Sequence, residues 1–230
     1  MLVSHKHKFI FLKTMKTAGS TTEAYFDRFC IPPDVEPGLD HRPETLISQY
    51  GVIARKPGHV NKKRYVRRYN RKTSKAERAF FAHMTAKSVI NYVGEETFNS
   101  YYKFCNMRNP WDLTVSRYYF VKNIKVRKCP EQESFERWMM NTSEINVGRK
   151  VFTIDGEPCV DDVILYENLE SEIERVCKIV GAEFNREWIQ SHKSHFRPKG
   201  TEYRKIHTAE TKRLVEEAFA YEIEKYGYKY

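Results

Sequence analysis

The stretch that decides the fold is KFIFLKTMKTAGSTTEAYF, residues 8–26. Phe9 to Leu12 is apolar at every position, the pattern of a strand buried on both faces of a parallel sheet. The run stops at Lys13, and Thr17 to Thr22 are then all small or hydroxyl-bearing. A helix is expected from Ser20 or Thr21 to Phe29, stopped by Pro32 and Pro33. A turn of small residues between strand and helix lets backbone N–H groups approach an oxyanion, and the helix N-terminus adds about half a positive charge. Lys16 supplies a full one. The GxxxxGK[ST] spacing of the Walker loop is absent, because no glycine stands at the required distance before Lys16. Taken alone, the stretch fits an anion cradle or a capped helix with a solvent-facing lysine equally well.

The second informative stretch is CNMRNPWDLTVSRYYF, residues 105–120. Tyr102 to Met107 reads as a strand, and Pro110 opens a helix carrying Trp111, Val115, Tyr118 and Tyr119. Arg108 falls at the strand end, where ligands gather on open parallel sheets, and Ser116 lies about two helical turns beyond it. Arginine grips phosphate bidentately. The alternative is an Arg108–Asp112 ion pair beside aromatic side chains that only fill the core. Further along, a short helix is expected at Phe135–Met140, a hairpin at Asp155-Gly156 and a strand at Val163–Tyr166. Ala76–Val93 reads as helical in parts, ended by Gly94. Asn168 is placed to cap a helix that runs to Val180 before Gly181, and a last helix starts at Thr208 and stops at Gly227. Strands followed by helices predict an α/β fold, a P-loop-like three-layer sandwich with a central parallel sheet.

At 230 residues the chain is long enough for one substantial core, and a single domain over 1–230 is expected. The net charge of +10 is local. Residues 55–78 carry eleven Lys or Arg against one acid, Glu77; with 40 bases and 30 acids in all, the remaining 29 and 29 cancel. That segment belongs to a basic excursion over about 34–78, with one helix expected at Val60–Tyr69. A mean hydropathy of −0.69 leaves no apolar run of the 18–20 residues a membrane span requires. The N-terminus lacks the apolar core of a signal peptide. The expectation is a soluble, cytoplasmic chain, the alternative being the catalytic part of a longer membrane-anchored protein. Five cysteines form no CxxC pair, and Cys105 and Cys177 fall in apolar stretches as small hydrophobes, which fits a reducing compartment. His5 and His7 flank a lysine in what reads as a frayed N-terminus. His192 and His195 lie in a basic loop without placed partners, so no metal site is expected.

Together the first two stretches resemble the sulfotransferases, in the carbohydrate branch that includes heparan sulfate 2-O-sulfotransferase. The family's PKTGGTS loop is similar to Met15-Lys16-Thr17-Ala18-Gly19-Ser20-Thr21, and its RNPWDRLVS motif to Arg108-Asn109-Pro110-Trp111-Asp112-Leu113-Thr114-Val115-Ser116. Val163–Gly181 and Tyr203–Tyr228 are similar to the family's closing segments. Met15 replaces a proline and Ala18 a glycine, the latter a cost if the backbone there needs positive φ.

The resemblance implies in-line transfer of a sulfuryl group from 3′-phosphoadenylyl sulfate (PAPS) to an acceptor hydroxyl, without a metal or a covalent intermediate. Lys16, Thr17, Ala18, Gly19, Ser20 and Thr21 are then expected to hold the 5′-phosphosulfate, the hydroxyls of Thr17, Ser20 and Thr21 included. Arg108 and Ser116 are expected to hold the 3′-phosphate, with Lys193, Arg197 and Lys199 as further contacts. His83 matches the catalytic base of the 2-O branch, and Glu23 is the reserve. The expected partner is a hydroxyl-bearing acceptor, an anionic glycan drawn in by the basic segment, with no nucleic acid and no membrane span; oligomeric state stays open. The rival classes are a nucleic-acid-binding arm using Tyr65 and Tyr69, and a nucleotide kinase.

Overall fold

The computed structural model describes residues 1–37, 45–54, 81–123, 134–142, 144–190 and 197–230. In chain order, β1 (Leu2–Ser4) and β2 (Phe9–Leu12) form a hairpin, and a loop leads from β2 into α1 (Gly19–Phe26). Next come β3 (Leu46–Ser48), β4 (Gly51–Ile53), α2 (Ala86–Val93), α3 (Glu95–Ser100), β5 (Tyr102–Met107) and α4 (Pro110–Asn123). The chain continues through α5 (Phe135–Asn141), α6 (Arg149–Phe152), a small hairpin of β6 (Thr153–Ile154) and β7 (Glu157–Pro158), and β8 (Asp162–Leu165). It closes with α7 (Leu169–Val180), α8 (Ala209–Ala218) and α9 (Ala220–Tyr226).

The main sheet has the order β3-β4-β1-β2-β5-β8. Strand β5 is parallel to β2 on one side and to β8 on the other, with Leu12 opposite Cys105 and Met107 opposite Leu165. This parallel core, expected from the apolar runs, brings three strand ends together and with them the loops that begin at Lys13, Arg108 and Tyr166.

The other half of the sheet was not expected. Strand β1 pairs antiparallel with both β2 and β4, and β3 pairs antiparallel with β4, so four of the six strands share one direction. At three residues each, β1, β3 and β4 are too short to show a period. The N-terminus is also not frayed: Met1, Leu2 and Val3 are fully buried. The charged His5–Lys8 segment that suggested fraying is the hairpin turn, in which Lys8 takes φ 48°. His5 Nδ1 lies 2.8 Å from the Tyr101 hydroxyl and His7 Nδ1 3.2 Å from the Val180 carbonyl.

Alternation along β2 sends its side chains to two cores. Phe9 and Phe11 pack with Tyr25 and Phe26 of α1 and with Ile173 and Val176 of α7. Ile10 and Leu12 pack on the opposite face with Val89 of α2 and Phe152 of α6. Each such side chain contributes about 1.5–3 kcal/mol when fully buried. A third cluster joins α4, α5 and α8 through Trp111, Val115, Trp138 and Val215. Cys105 and Cys177 are fully buried in these cores, as small hydrophobes.

Several local expectations hold and others shift. The β6–β7 turn has Asp155 at φ 52° and Gly156 at φ 93°, both positive, as a two-residue hairpin needs. Gly181 ends α7 in the left-handed conformation. Asn168 occupies the N-cap position of α7 but its side chain makes no cap hydrogen bond, because a 3-10 turn at Tyr166–Asn168 leads into the helix. The last helix is two, broken at Phe219 (φ −120°, ψ 22°), whose side chain turns into the third cluster. Within 81–93 the helix starts only at Ala86, capped by Thr85. The expected helix at 60–69 and the basic segment at 55–78 lie outside the described residues. Among the described residues, no helix is long and apolar enough to cross a membrane.

The contact between β4 and β1 depends on a missing side chain. A Cβ on Gly51 would sit 2.0 Å from the Val3 carbonyl oxygen. Gly51→Ala is therefore expected to lower stability by about 2–3 kcal/mol in urea unfolding. A wild-type midpoint would contradict the packing described here.

Candidate active site

Between β2 and α1 the backbone does something rare. Lys16 has φ 63° and Ala18 φ 61°, whereas Thr17 between them is not in the positive-φ region. Alternating φ signs aim successive N–H groups at one concavity, which favours an anion. The loop feeds directly into α1. Ala18 is its N-cap, no side chain caps it, and its first turn holds no acid. The first helical bond runs from Thr22 N–H to the Ala18 carbonyl at 3.1 Å, so the N–H groups of Gly19, Ser20 and Thr21 precede the helical ladder. Gly19 is required by proximity rather than by φ: a Cβ there would lie 2.9 Å from Lys13 Cγ and 3.2 Å from the Thr14 carbonyl oxygen.

The floor of the loop is a polar network on β5. The Thr14 hydroxyl donates to the Asn106 carbonyl at 2.6 Å, so the 2.8 Å contact between the Thr14 and Thr17 hydroxyls has Thr17 as donor. The Asn106 carboxamide, fully buried, donates to the Thr17 carbonyl at 3.0 Å and to the Thr22 hydroxyl at 2.8 Å. Thr17 thus faces the sheet, not the concavity, contrary to the expected role of its hydroxyl. A cavity of about 500 Å³, counted to its mouth, runs beside this floor against Arg108, Leu113 and Arg117.

Arg108 reaches the same loop from β5. Its Nη1 donates to the Lys16 carbonyl at 3.1 Å, its Nε and Nη2 meet Asp112 Oδ2 at 2.7 and 2.5 Å, and its guanidinium lies 4.1 Å over the Tyr166 ring. Arg197 binds the other Asp112 oxygen and the Thr201 carbonyl. Of the two possibilities left open by the sequence, the ion pair is present: Arg108 pairs with Asp112, and the pair stands beside the loop. Ser116 follows one turn beyond Asp112 and is 8% exposed. Lys199 is exposed, and residues 192, 193 and 195 lie outside the described residues.

Lys13 and Glu23 form a buried ion pair, Nζ to Oε2 at 2.6 Å, and the Met1 amino group meets Glu23 Oε1 at 2.9 Å. This occupies the carboxylate of the reserve base. His83 Nδ1 is 2.8 Å from the Lys13 carbonyl, which can only accept, so Nδ1 carries the proton and Nε2 the lone pair. Burial, and then the nearby Lys13 charge, push the His83 pKa down to about 4, so the ring is neutral at pH 7. The Lys16 ammonium lies 4.5 Å over the ring of Phe120.

Sequence reasoning missed Asn106, Thr14, Asp112 as a bridge, Tyr166 and Phe120. For Asn106 a signal existed: a polar residue inside an apolar strand demands partners. For Tyr166 the signal was its place at a strand end.

With this geometry in hand, the chain can be set beside known proteins. No protein-family model matches it. An uncharacterized protein of Archaeoglobus fulgidus is 31% identical over 99 residues, which is 43% of this chain and 82% of that one. The two chains belong to one family. A sulfotransferase of known structure from Alicyclobacillus acidocaldarius is similar over 93% of this chain and 94% of its own, at 17% identity and a TM-score of 0.39, too low to carry an argument about function.

Two measurements test the site as built. Ala18→Gly relieves a left-handed alanine and is expected to stabilise the protein by up to about 1 kcal/mol, a Tm rise of about 2–4 °C. An unchanged or lower Tm would mean the backbone does not hold that conformation. For His83 the folded pKa lies below the unfolded value of 6.5, so the unfolded state binds more protons between them. Its contribution to stability is complete above about pH 6.5 and is lost as pH falls toward 4. NMR titration should place its midpoint near 4, and His83→Gln should flatten the acid loss of stability; a midpoint at 6.5 would contradict the burial.

Proposed function

We propose that this chain transfers a sulfuryl group from PAPS to an acceptor hydroxyl, with a carbohydrate as the acceptor. The observation that carries this reading is the hydrogen bond from Arg108 to the Lys16 carbonyl, 3.1 Å long across 92 residues of sequence. It joins the two segments whose motifs resemble the 5′- and 3′-phosphate sites of sulfotransferases. A doubly phosphorylated nucleotide needs two anion sites within its own length, and this contact supports the reading by bringing the two segments together.

The residues present fit such a donor. The backbone N–H groups from Thr17 to Thr21 and the hydroxyls of Ser20 and Thr21 hold the 5′-phosphosulfate. Arg108, Arg197 and Ser116 hold the 3′-phosphate. In transfer, the acceptor oxygen forms a bond to sulfur as the bond between sulfur and the bridging phosphate oxygen breaks. The electron pair stays on that oxygen, where the Lys16 ammonium neutralises it. The acceptor proton passes to His83 Nε2, which its Nδ1–H bond to Lys13 leaves as the basic nitrogen. The depressed pKa makes His83 a weak base in isolation, and a polyanionic donor beside it raises that pKa toward neutrality. The positive charge at residues 55–78 suits an anionic glycan, by steering.

The test is parallel titration, without magnesium, with 3′-phosphoadenosine 5′-phosphate (PAP), ATP and a single-stranded oligonucleotide, followed by labelled sulfate transfer to a glycan panel. Binding of PAP alone is expected, and Lys16→Ala should cost about a hundredfold or more in transfer rate. Binding of ATP or oligonucleotide in place of PAP would sink the proposal.

A further inference from the structure

Arg108, Asp112, Ser116 and Phe120 recur every four residues along and just before α4. Each step of four advances about 40° around a helix, so the four share one stripe. Its first three members belong to the anion grip described above. The fourth is aromatic, and its ring lies under the Lys16 ammonium.

Phe120 lies in the second half of α4. Its α4 neighbours Trp111, Val115, Tyr118, Tyr119 and Val121 all pack into the third hydrophobic cluster, whereas half-buried Phe120 belongs to none of the three clusters formed by the described residues. Its ring meets the Lys16 ammonium, 4.5 Å from its centroid. The face of an aromatic ring carries the negative lobes of its quadrupole and attracts an ammonium.

Lys16 stands on a left-handed residue, and its long, flexible side chain has many orientations open to it. A carboxylate would fix the ammonium but would also neutralise the charge that the reaction needs. An aromatic face fixes it differently. It sets the direction without neutralising, makes no directional hydrogen bond that must break, and yields to a full negative charge.

We infer that Phe120 is the positioning residue for Lys16: the ring holds the ammonium at the mouth of the cradle, from where it moves to the bridging oxygen of the donor. This rests on the sulfuryl-transfer reading for its chemistry, but not for its geometry. The ring acts only on the lysine, and PAP has no sulfuryl group and hence no bridging oxygen. Loss of the ring should therefore slow transfer while PAP affinity stays.

The experiment compares wild type with Phe120→Leu and Phe120→Tyr. NMR of the donor-free protein should show the terminal methylene signals of Lys16, assigned by their absence in Lys16→Arg, shifted upfield by the ring current. The shift should vanish in Phe120→Leu and persist in Phe120→Tyr. Kinetically, Phe120→Leu should lose about tenfold in kcat with the Kd for PAP within about twofold, and Phe120→Tyr should restore kcat. A wild-type Lys16 without the upfield shift, a leucine variant with unaltered kcat, or a tyrosine variant as slow as leucine would each overturn the inference. Should Phe120→Leu not fold, the shift in wild type and its persistence in Phe120→Tyr decide. A wild-type chain that does not bind PAP would overturn the transfer reading instead, and the donor-free shift would still decide the Lys16–Phe120 contact.

Discussion

The site depends on one carboxamide. Asn106 sits in the middle of the parallel sheet, fully buried, and both of its N–H bonds leave the strand to hold something else: the carbonyl of Thr17 and the hydroxyl of Thr22. Through these two bonds the sheet grips the loop and the first turn of α1 together. A non-glycine residue in the left-handed region costs about 1–2 kcal/mol, and the loop contains two within three residues. Such a backbone persists only where its surroundings over-determine it. The amide, the Thr14–Thr17 hydroxyl pair and the Arg108 bond to the Lys16 carbonyl do so from three sides.

Two lysines three residues apart have opposite fates in this frame. Lys13 turns inward along the surface that Gly19 leaves open and ends on Glu23, one turn into α1, so its charge serves to pin the helix to the strand end. Lys16, itself in the left-handed conformation, lies over an aromatic face. One ammonium is thus set against a buried carboxylate and the other over an aromatic ring. Burial first, and the Lys13 charge second, depress His83, which hangs from the Lys13 carbonyl, and keep that imidazole neutral.

Much of this was legible in the residue order because the parallel core is made of continuous apolar runs. Phe9–Leu12 and Tyr102–Met107 announce buried strands, and the small residues after the first and Arg108 after the second announce what happens at their ends. The antiparallel half was not legible. Leu2–Ser4 and Gly51–Ile53 are too short to display a period, and the charged turn after the first disguised a central strand as a loose end. Side-chain direction was equally hidden. Thr17 looks like a ligand-facing hydroxyl in sequence, and only the distance to Thr14 turns it toward the floor. The Asp112 bridge required Arg197 to arrive from 85 residues away, which no local pattern encodes.

Asp112 gives the Arg108–Arg197 end of the site an unusual character. With Arg108 on one oxygen and Arg197 on the other, the two guanidinium groups already own a resident anion. Under the proposed function, an incoming phosphate would not drop into an empty socket; it would compete with, or share, a tenant. Occupancy is then governed by a difference between two similar attractions, so even strong local contacts translate into readily reversible tenure. A spent nucleotide would leave such a berth quickly, because the carboxylate stands ready to take its place as it goes.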